Sequence, residues 1–354
     1  MFKIPYRGNL TWLTERTILF VRHGSHAYGT NIASSDEDFK GAAIAPKEYY
    51  HGFVNTFEQA ESHDPDLVIY ELKKFMRLAA DCNPSIIEVL WADPNIVTPA
   101  GQKLIDAREM FLSRKAKHTF SGYALGQLKR IRTHHNWLTA PPKTPPTRAE
   151  LGLPEHTVIA KDQLAAAHSA IGKKLLDWNL DGLDSVDPAA RILLQTKMAE
   201  CLAEANVSND NAYTRAGRTI GIDDNFLRLL DLERQYRARK VGWEQYENWK
   251  ATRNPARAEL EAKWGYDTKH AMHLVRLLRM CREILERGEV LVRRPDAEEL
   301  LSIRAGAWSY EQLVEWAERE DVALNDVAAA SPLPRTADRA ALDALCIRMV
   351  EASS

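Results

Sequence analysis

Residues 24–31, Gly24-Ser25-His26-Ala27-Tyr28-Gly29-Thr30-Asn31, and residues 35–41, Ser35-Asp36-Glu37-Asp38-Phe39-Lys40-Gly41, decide how this chain is read. They follow an apolar run, Thr17-Ile18-Leu19-Phe20-Val21, with the composition of a strand. A glycine-serine turn after that strand offers backbone N–H groups and a hydroxyl to an anion such as a triphosphate. Asp36 and Asp38 then open a second strand. Side chains alternate faces along a strand, so the two aspartates point one way and Glu37 the other. Adjacent carboxylates repel unless a cation lies between them, and a hard divalent ion with oxygen ligands meets that need. Phosphate and metal sites on neighbouring strand ends are the parts of a nucleotide-transfer centre.

Outward from this stretch, strands are expected at Thr17–Val21, Phe39–Ala45 and Leu67–Tyr70, bounded by Gly, Asn, Asp and Pro. From Leu72 the period becomes helical, with Leu72, Phe75, Met76, Leu78 and Ala79 on one stripe, and Asn83-Pro84 ends that helix. Ser85–Trp91 and Gly122–Trp137 read as further helices, the latter with Leu125, Leu128 and Ile131 aligned. The prolines at 141, 142, 145, 146 and 154 break helices and place a linker over 139–160. Beyond it, Gln163–Trp178, Pro188–Ala205, Asp224–Arg239, Trp243–Lys250 and Lys269–Arg287 have helical spacing.

The string Gly-Ser-x-Ala-Tyr-Gly-Thr-Asn, then Ser-Asp-x-Asp-x-Lys-Gly, resembles the DNA polymerase beta-like nucleotidyltransferases. Within that superfamily it is similar to the branch that includes the RNA-ligase-associated predicted nucleotidyltransferases. The strand-helix segment Asp66–Phe75 and the block Asn83–Leu90 carry the same resemblance, which covers about residues 17–135 and reappears near 255–310. It implies an α+β fold: a polymerase-beta-type core over 1–138, a small mixed sheet flanked by helices, then the linker and an all-helical domain over 161–354. It also implies catalysis with two Mg²⁺ ions, or Mn²⁺, and a nucleoside triphosphate, ATP by preference. Two-metal transfer places the ions about 3.5–4 Å apart and calls for a third carboxylate. By resemblance that carboxylate is Glu71; Asp66 falls on the opposite strand face, so only one of the two joins Asp36 and Asp38.

Other residues are weighed against ordinary structural roles. Lys40 shares the face of Asp38, where it reaches a phosphate or pairs with an aspartate. His23 and His26 are expected as polar rim residues. Tyr28 stacks on a base or fills a gap beneath the turn, and Glu88, among Ile86, Ile87, Val89 and Leu90, contacts a helix end. In the segment Trp264–Arg279, Asp267 or Thr268 caps a helix on which Lys269, His273 and Arg276 form a cationic stripe, a wall for the triphosphate. Leu274, Leu277, Leu278 and Cys281 form its buried stripe. Solvated pairing of the cations with Asp267, Glu283 and Glu286 is the bland alternative. His270 and His273 lack the surrounding ligands of a zinc site.

The net charge of −2 gives no global attraction to nucleic acid, yet residues 101–150 hold ten cations against three anions. Lys117, Tyr123, Lys129 and Arg130 in that segment are the weak candidates for binding an RNA acceptor. Cys82, Cys201, Cys281 and Cys346 are far apart and read as reduced core thiols. With no signal-like or 18-residue apolar run, a cytoplasmic location and no membrane partner are expected. Transfer of a nucleoside monophosphate to an RNA end is the leading expectation. Nucleotidylation of a partner protein's hydroxyl and a non-catalytic nucleotide- or RNA-binding module are the alternatives.

Overall fold

A computed structural model of the chain describes residues 3–157, 159–176 and 212–353. Five strands, β1 (Thr17–His23), β2 (Asp38–Ala43), β3 (Gln59–His63), β4 (Asp66–Glu71) and β5 (Pro94–Val97), form a mixed sheet in the order β3-β4-β2-β1-β5. Only β2 and β4 run parallel among these neighbours. The α+β class expected from the sequence is the fold observed.

The two faces of the sheet bury different cores. Phe20, Phe39, Ala43, Leu67 and Ile69 point to one face and pack with Ile4 and Leu13 from the N-terminal segment. Leu19, Val21 and Ala42 point to the other, against the helices. Strict alternation therefore places Asp38 and Lys40 with Ala42 on the helical face. It places Asp66 there too, because parallel pairing puts Asp38 opposite Asp66, Phe39 opposite Leu67 and Ala43 opposite Glu71.

The helices of the first half are α1 (Leu13–Arg16), α2 (Gly24–Tyr28), α3 (Glu48–His51), α4 (Leu72–Ala80), α5 (Pro84–Trp91), α6 (Pro99–Asp106) and α7 (Ala116–Thr139). Pro84 sits in the first turn of α5, where its missing N–H leaves no helix bond unmade. In α7 the buried stripe is Phe120, Ala124, Leu128 and Ile131, while Leu125, expected on that stripe, is exposed about 100° round the helix from it. After α7 come α8 (Lys161–Leu176), α9 (Ala212–Thr219), α10 (Asp224–Thr252), α11 (Pro255–Trp264), α12 (Thr268–Arg287), α13 (Ala297–Arg304), α14 (Tyr310–Ala330) and α15 (Arg339–Glu351). The two helices expected over 224–250 are one, and the helix expected at Pro188–Ala205 lies outside the described residues. Cys82, Cys281 and Cys346 are buried free thiols. No helix among the described residues is long and apolar enough to cross a membrane.

The division of the chain differs from the one expected. Met1–Ala140 and Asn254–Ser354 form one compact unit, and Pro141–Arg253 forms the other. The reason lies in α12. Ala271, Met272, Leu274, Val275, Leu277, Leu278, Cys281, Ile284 and Leu285 are buried almost all round the helix, so it needs neighbours on every side. It takes them from α7, α13 and α14 and joins the core of the sheet's helical face. The unit at Pro141–Arg253 has its own small core of Ile159, Leu164, Ile171, Leu227 and Leu230, with Arg148 donating to the buried Glu233 carboxylate.

A fragment ending at Ala140 would leave the face of α7 that meets α12 open to water. We expect it to bind a hydrophobic dye and to lose near-ultraviolet circular dichroism, whereas the full chain does neither; a cooperatively folded fragment would refute this dependence.

Candidate active site

Gly24 decides how close the second strand comes to α2. Its φ is +66°, in the left-handed region, and a Cβ there would overlap Asp38 Oδ2. Only glycine lets α2 begin directly against the carboxylate. Gly24, Ser25, Tyr28 and Asp38 then line a cavity of about 260 Å³ with Pro84, Ser85 and Glu88 of α5, Tyr123 and Gln127 of α7, and Lys269, His273, Arg276 and Leu277 of α12. The turn, one aspartate and the cationic helix, separated by more than 200 residues of sequence, share one space.

Beneath the cavity lies a buried carboxylate. Glu88 is 1% exposed and forms an ion pair with Arg276 Nη1, accepts from Tyr28 Oη at 2.6 Å and lies 3.0 Å from His23 Nε2. The Arg276 guanidinium also stacks on Tyr28, 3.8 Å from the ring centre. Burial alone would raise the Glu88 pKa, but Arg276 and the His23 and Tyr28 contacts outweigh it and hold the group well below its usual value. Burial lowers the pKa of His23, and the hydrogen bond to Glu88 opposes that only in part. Glu88 is therefore the counter-ion of the site rather than a contact to a helix end, and His23 is interior rather than rim. His26 is half-buried, its ring 3.3 Å from the Ser35 carbonyl. Tyr28 fills the space beneath the turn.

The acidic residues divide. Asp38 is half-buried, and its pKa is raised by burial and by the charge of Asp66, against the pull of His23, Lys269 and Lys40. Asp36 lies in the segment before β2, exposed, and is not among the cavity residues. Glu71 departs from expectation. It stands opposite Ala43, five residues along the strand from the Asp38 level, about 16 Å away at strand rise, and on the other face. There it caps α4, accepting from Lys74 N at 3.2 Å and from Tyr50 Oη at 2.7 Å. Asp66, its alternative, is the register partner of Asp38.

Asp38 and Asp66 fit a hard divalent cation. They are carboxylates on adjacent strands and the same face, and Asp38 feels the negative charge of Asp66 without full compensation. The tightest group of ligand-type atoms among the described residues is elsewhere, at His134, Glu261 and Asp267, within 4.8 Å of one another. Those atoms already bond to side chains: His134 Nδ1 is 3.0 Å from Glu261, and His270 Nδ1 is 2.6 Å from Asp267. A cation joins that set only by displacing them.

The cationic wall is also corrected in one member. His273 lines the cavity, but burial, with Arg276 and Lys269 adding, lowers its pKa to about 3, so the ring is neutral. Lys269 and Arg276 carry the charge. Lys40 lies on the Asp38 face with its Nζ 3.5 Å from the Ser85 carbonyl, outside the lining of the cavity. Lys117, expected at an acceptor surface, is buried and donates to Asp321 of α14 at 2.7 Å. Tyr123 is half-exposed in the cavity wall and accepts from Asn83. Lys129 and Arg130 are exposed on α7, with Arg130 directed at His270.

Residues 10–140 match the family described as the RNA repair pathway DNA polymerase beta family, RlaP. That segment is a polymerase beta-type nucleotidyltransferase domain. It makes the protein an enzyme that transfers nucleotidyl groups, and the cavity is built on its turn and its strands. Aligned over 344 residues, 89% of this chain and 90% of the relative, the chain is 25% identical to an uncharacterized 38.9 kDa protein from the nrdC–mobD intergenic region of Enterobacteria phage T4. No solved structure matches it. Sequence reasoning missed Glu88 and Gln127 in the nucleotidyltransferase cavity. The Glu88 signal was a lone carboxylate inside an otherwise apolar helix, a residue that needs a buried partner.

Glu88→Ala would leave Arg276 buried without a counter-ion and should lower unfolding free energy by about 3–5 kcal/mol in urea titrations. Because the folded pKa of Glu88 is depressed, its contribution is complete above the unfolded value of about 4.3 and is lost as pH falls through the folded one. The variant's deficit should accordingly be flat across neutral pH and shrink only in strong acid. A deficit that varied between pH 6 and 8 would contradict this assignment.

Proposed function

We propose that this enzyme moves a nucleoside monophosphate from a nucleoside triphosphate, ATP by preference, to the hydroxyl of an RNA end. The observation that carries the reading is the shared cavity: Ser25, Lys269 and Arg276 line the same space as Asp38. The triphosphate lies against Ser25, Lys269 and Arg276, whose charges offset the negative charge that grows on the leaving pyrophosphate. Asp38 and Asp66, with Asp36 at the strand entrance, hold Mg²⁺. The ion, when bound, lowers the pKa of the acceptor hydroxyl and neutralises phosphate charge. The acceptor hydroxyl gives up its proton to solvent as its oxygen bonds to the α-phosphorus, the bond from that phosphorus to the β-bridging oxygen breaks, and pyrophosphate leaves with the electron pair. The description of the family as belonging to RNA repair supports RNA as the acceptor class.

The test uses ATP labelled at the α-phosphate or the γ-phosphate, Mg²⁺, and RNA or a cell lysate as acceptor. Label from the α-position alone should enter RNA, in a nuclease-sensitive product. Asp38→Asn and Asp66→Asn should each reduce transfer about 100-fold or more at unchanged melting temperature. Glu71→Ala should transfer within a few-fold of the parent while losing about 1–2 kcal/mol of stability, as a lost helix cap does. Loss of transfer in Glu71→Ala with full activity in Asp66→Asn would restore Glu71 as the third ligand. A protease-sensitive product would move the acceptor to protein.

A further inference from the structure

Four cations from four helices gather at the N-terminal end of α12, beyond the cavity. Arg130 Nη1 of α7 and Arg257 Nη1 of α11 lie 3.2 and 3.3 Å from the same atom, Nε2 of His270. The other ring nitrogen of His270 is 2.6 Å from Asp267 Oδ2, so it carries the proton and Nε2 presents its lone pair. Two guanidinium groups thus share one acceptor atom. Arg304 of α13 lies near enough to feel the charges of Asp267 and Arg257 and forms no ion pair among the described residues, and Lys269 stands two residues after Asp267.

The carboxylates nearby do not balance this charge. Asp267 is 1% exposed and already caps α12, accepting from the His270 backbone N–H at 3.0 Å as well as from its ring; Arg257 is 3.7 Å from it. Glu261 is engaged with His134. Asp38 faces Lys269 from the cavity side, so three anions stand against four cations. Burial lowers the pKa of Lys269, with Arg257 and Arg304 adding against Asp267 and Asp38; burial also lowers that of Arg304, where Asp267 opposes and Arg257 adds.

Guanidinium groups set side by side match the oxygens of a phosphate, which accepts from two at once. The nucleotide's own phosphates are already placed against Ser25, Lys269 and Arg276. Lys269 belongs to both settings, so a phosphate beside it comes from the second substrate. We infer that Arg130, Arg257 and Arg304 form a subsite for a backbone or terminal phosphate of the acceptor RNA strand, next to the nucleotide cavity. The inference rests on the RNA-acceptor reading above.

Strand binding is measured without nucleotide, by fluorescence anisotropy of a labelled single-stranded oligoribonucleotide over a salt series. The proteins are the full chain, Arg257→Gln, Arg304→Gln and the double variant, and ATP affinity is measured separately on each. Each single variant should weaken strand binding about tenfold, the loss of one charged hydrogen bond. The slope of log affinity against log salt should fall by about 0.7 for each phosphate contact removed. ATP affinity should stay within about twofold, since neither residue lines the cavity. Arg304→Gln guards against a folding artefact at Arg257, whose side chain also braces Asp267. Unchanged strand affinity and slope in the double variant would overturn the subsite. So would a parallel loss of ATP affinity, which would assign these cations to the nucleotide. Because the assay contains no nucleotide, it can succeed where label transfer fails, and the reverse.

Discussion

The buried pair of Glu88 and Arg276 is the constraint on which this molecule is arranged. Moving two charges out of water costs several kcal/mol each, and the cost is offset only when geometry is good and the remaining polar atoms are satisfied. Here one carboxylate takes a guanidinium from α12, a hydroxyl from α2 and an imidazole contact from β1. Those contacts fix the relation of the first strand, the turn after it and the central helix. They also decide what Arg276 can do. With Nη1 held by Glu88 and the plane of the group laid on Tyr28, the Nε atom is buried without a protein partner at the cavity wall. Under the proposed function, stability and phosphate recognition draw on the same pair.

Charge in the cavity is polarised by burial as much as by residue type. Asp38 is pushed toward its neutral form by desolvation and by Asp66, while Lys269 is pushed the same way by desolvation and its cationic neighbours. Each wall is therefore under electrostatic tension that an opposite charge relieves: a divalent cation at the carboxylates, a polyphosphate at the cations. His273 shows the limit of counting charges from sequence. It stands on the stripe with Lys269 and Arg276, yet burial, with those two cations adding, keeps it neutral.

The parts legible in the sequence were those specified locally. The Gly24-Ser25 turn, the first, second and fourth strands, the helix after Leu72 and the Asp267 cap each depend on a few adjacent residues, and each is present. Long-range register was not legible. Alternation correctly put Asp66 and Glu71 on opposite faces, but which of them meets Asp38 depends on how β4 slides along β2, and the crossover through β3 sets that. Glu88 failed for a similar reason, since its partner lies 188 residues away. The proline run marked where the first unit is interrupted, yet nothing local says that the chain returns to that unit at Asn254.

That return has a chemical consequence. The segment matched by the family, residues 10–140, supplies the turn, the aspartates and Glu88, which is the anionic half of the site. Lys269 and Arg276 come from the stretch after the second unit. An isolated core would therefore hold a buried Glu88 without its guanidinium and the Asp38 face without the cations of α12. Folding of α12 against α7 and α5 is what brings the two halves together, so the helix that completes the hydrophobic core also completes the electrostatics. The relative in phage T4 aligns along most of both chains rather than over the core alone, as expected where the catalytic unit is discontinuous in sequence.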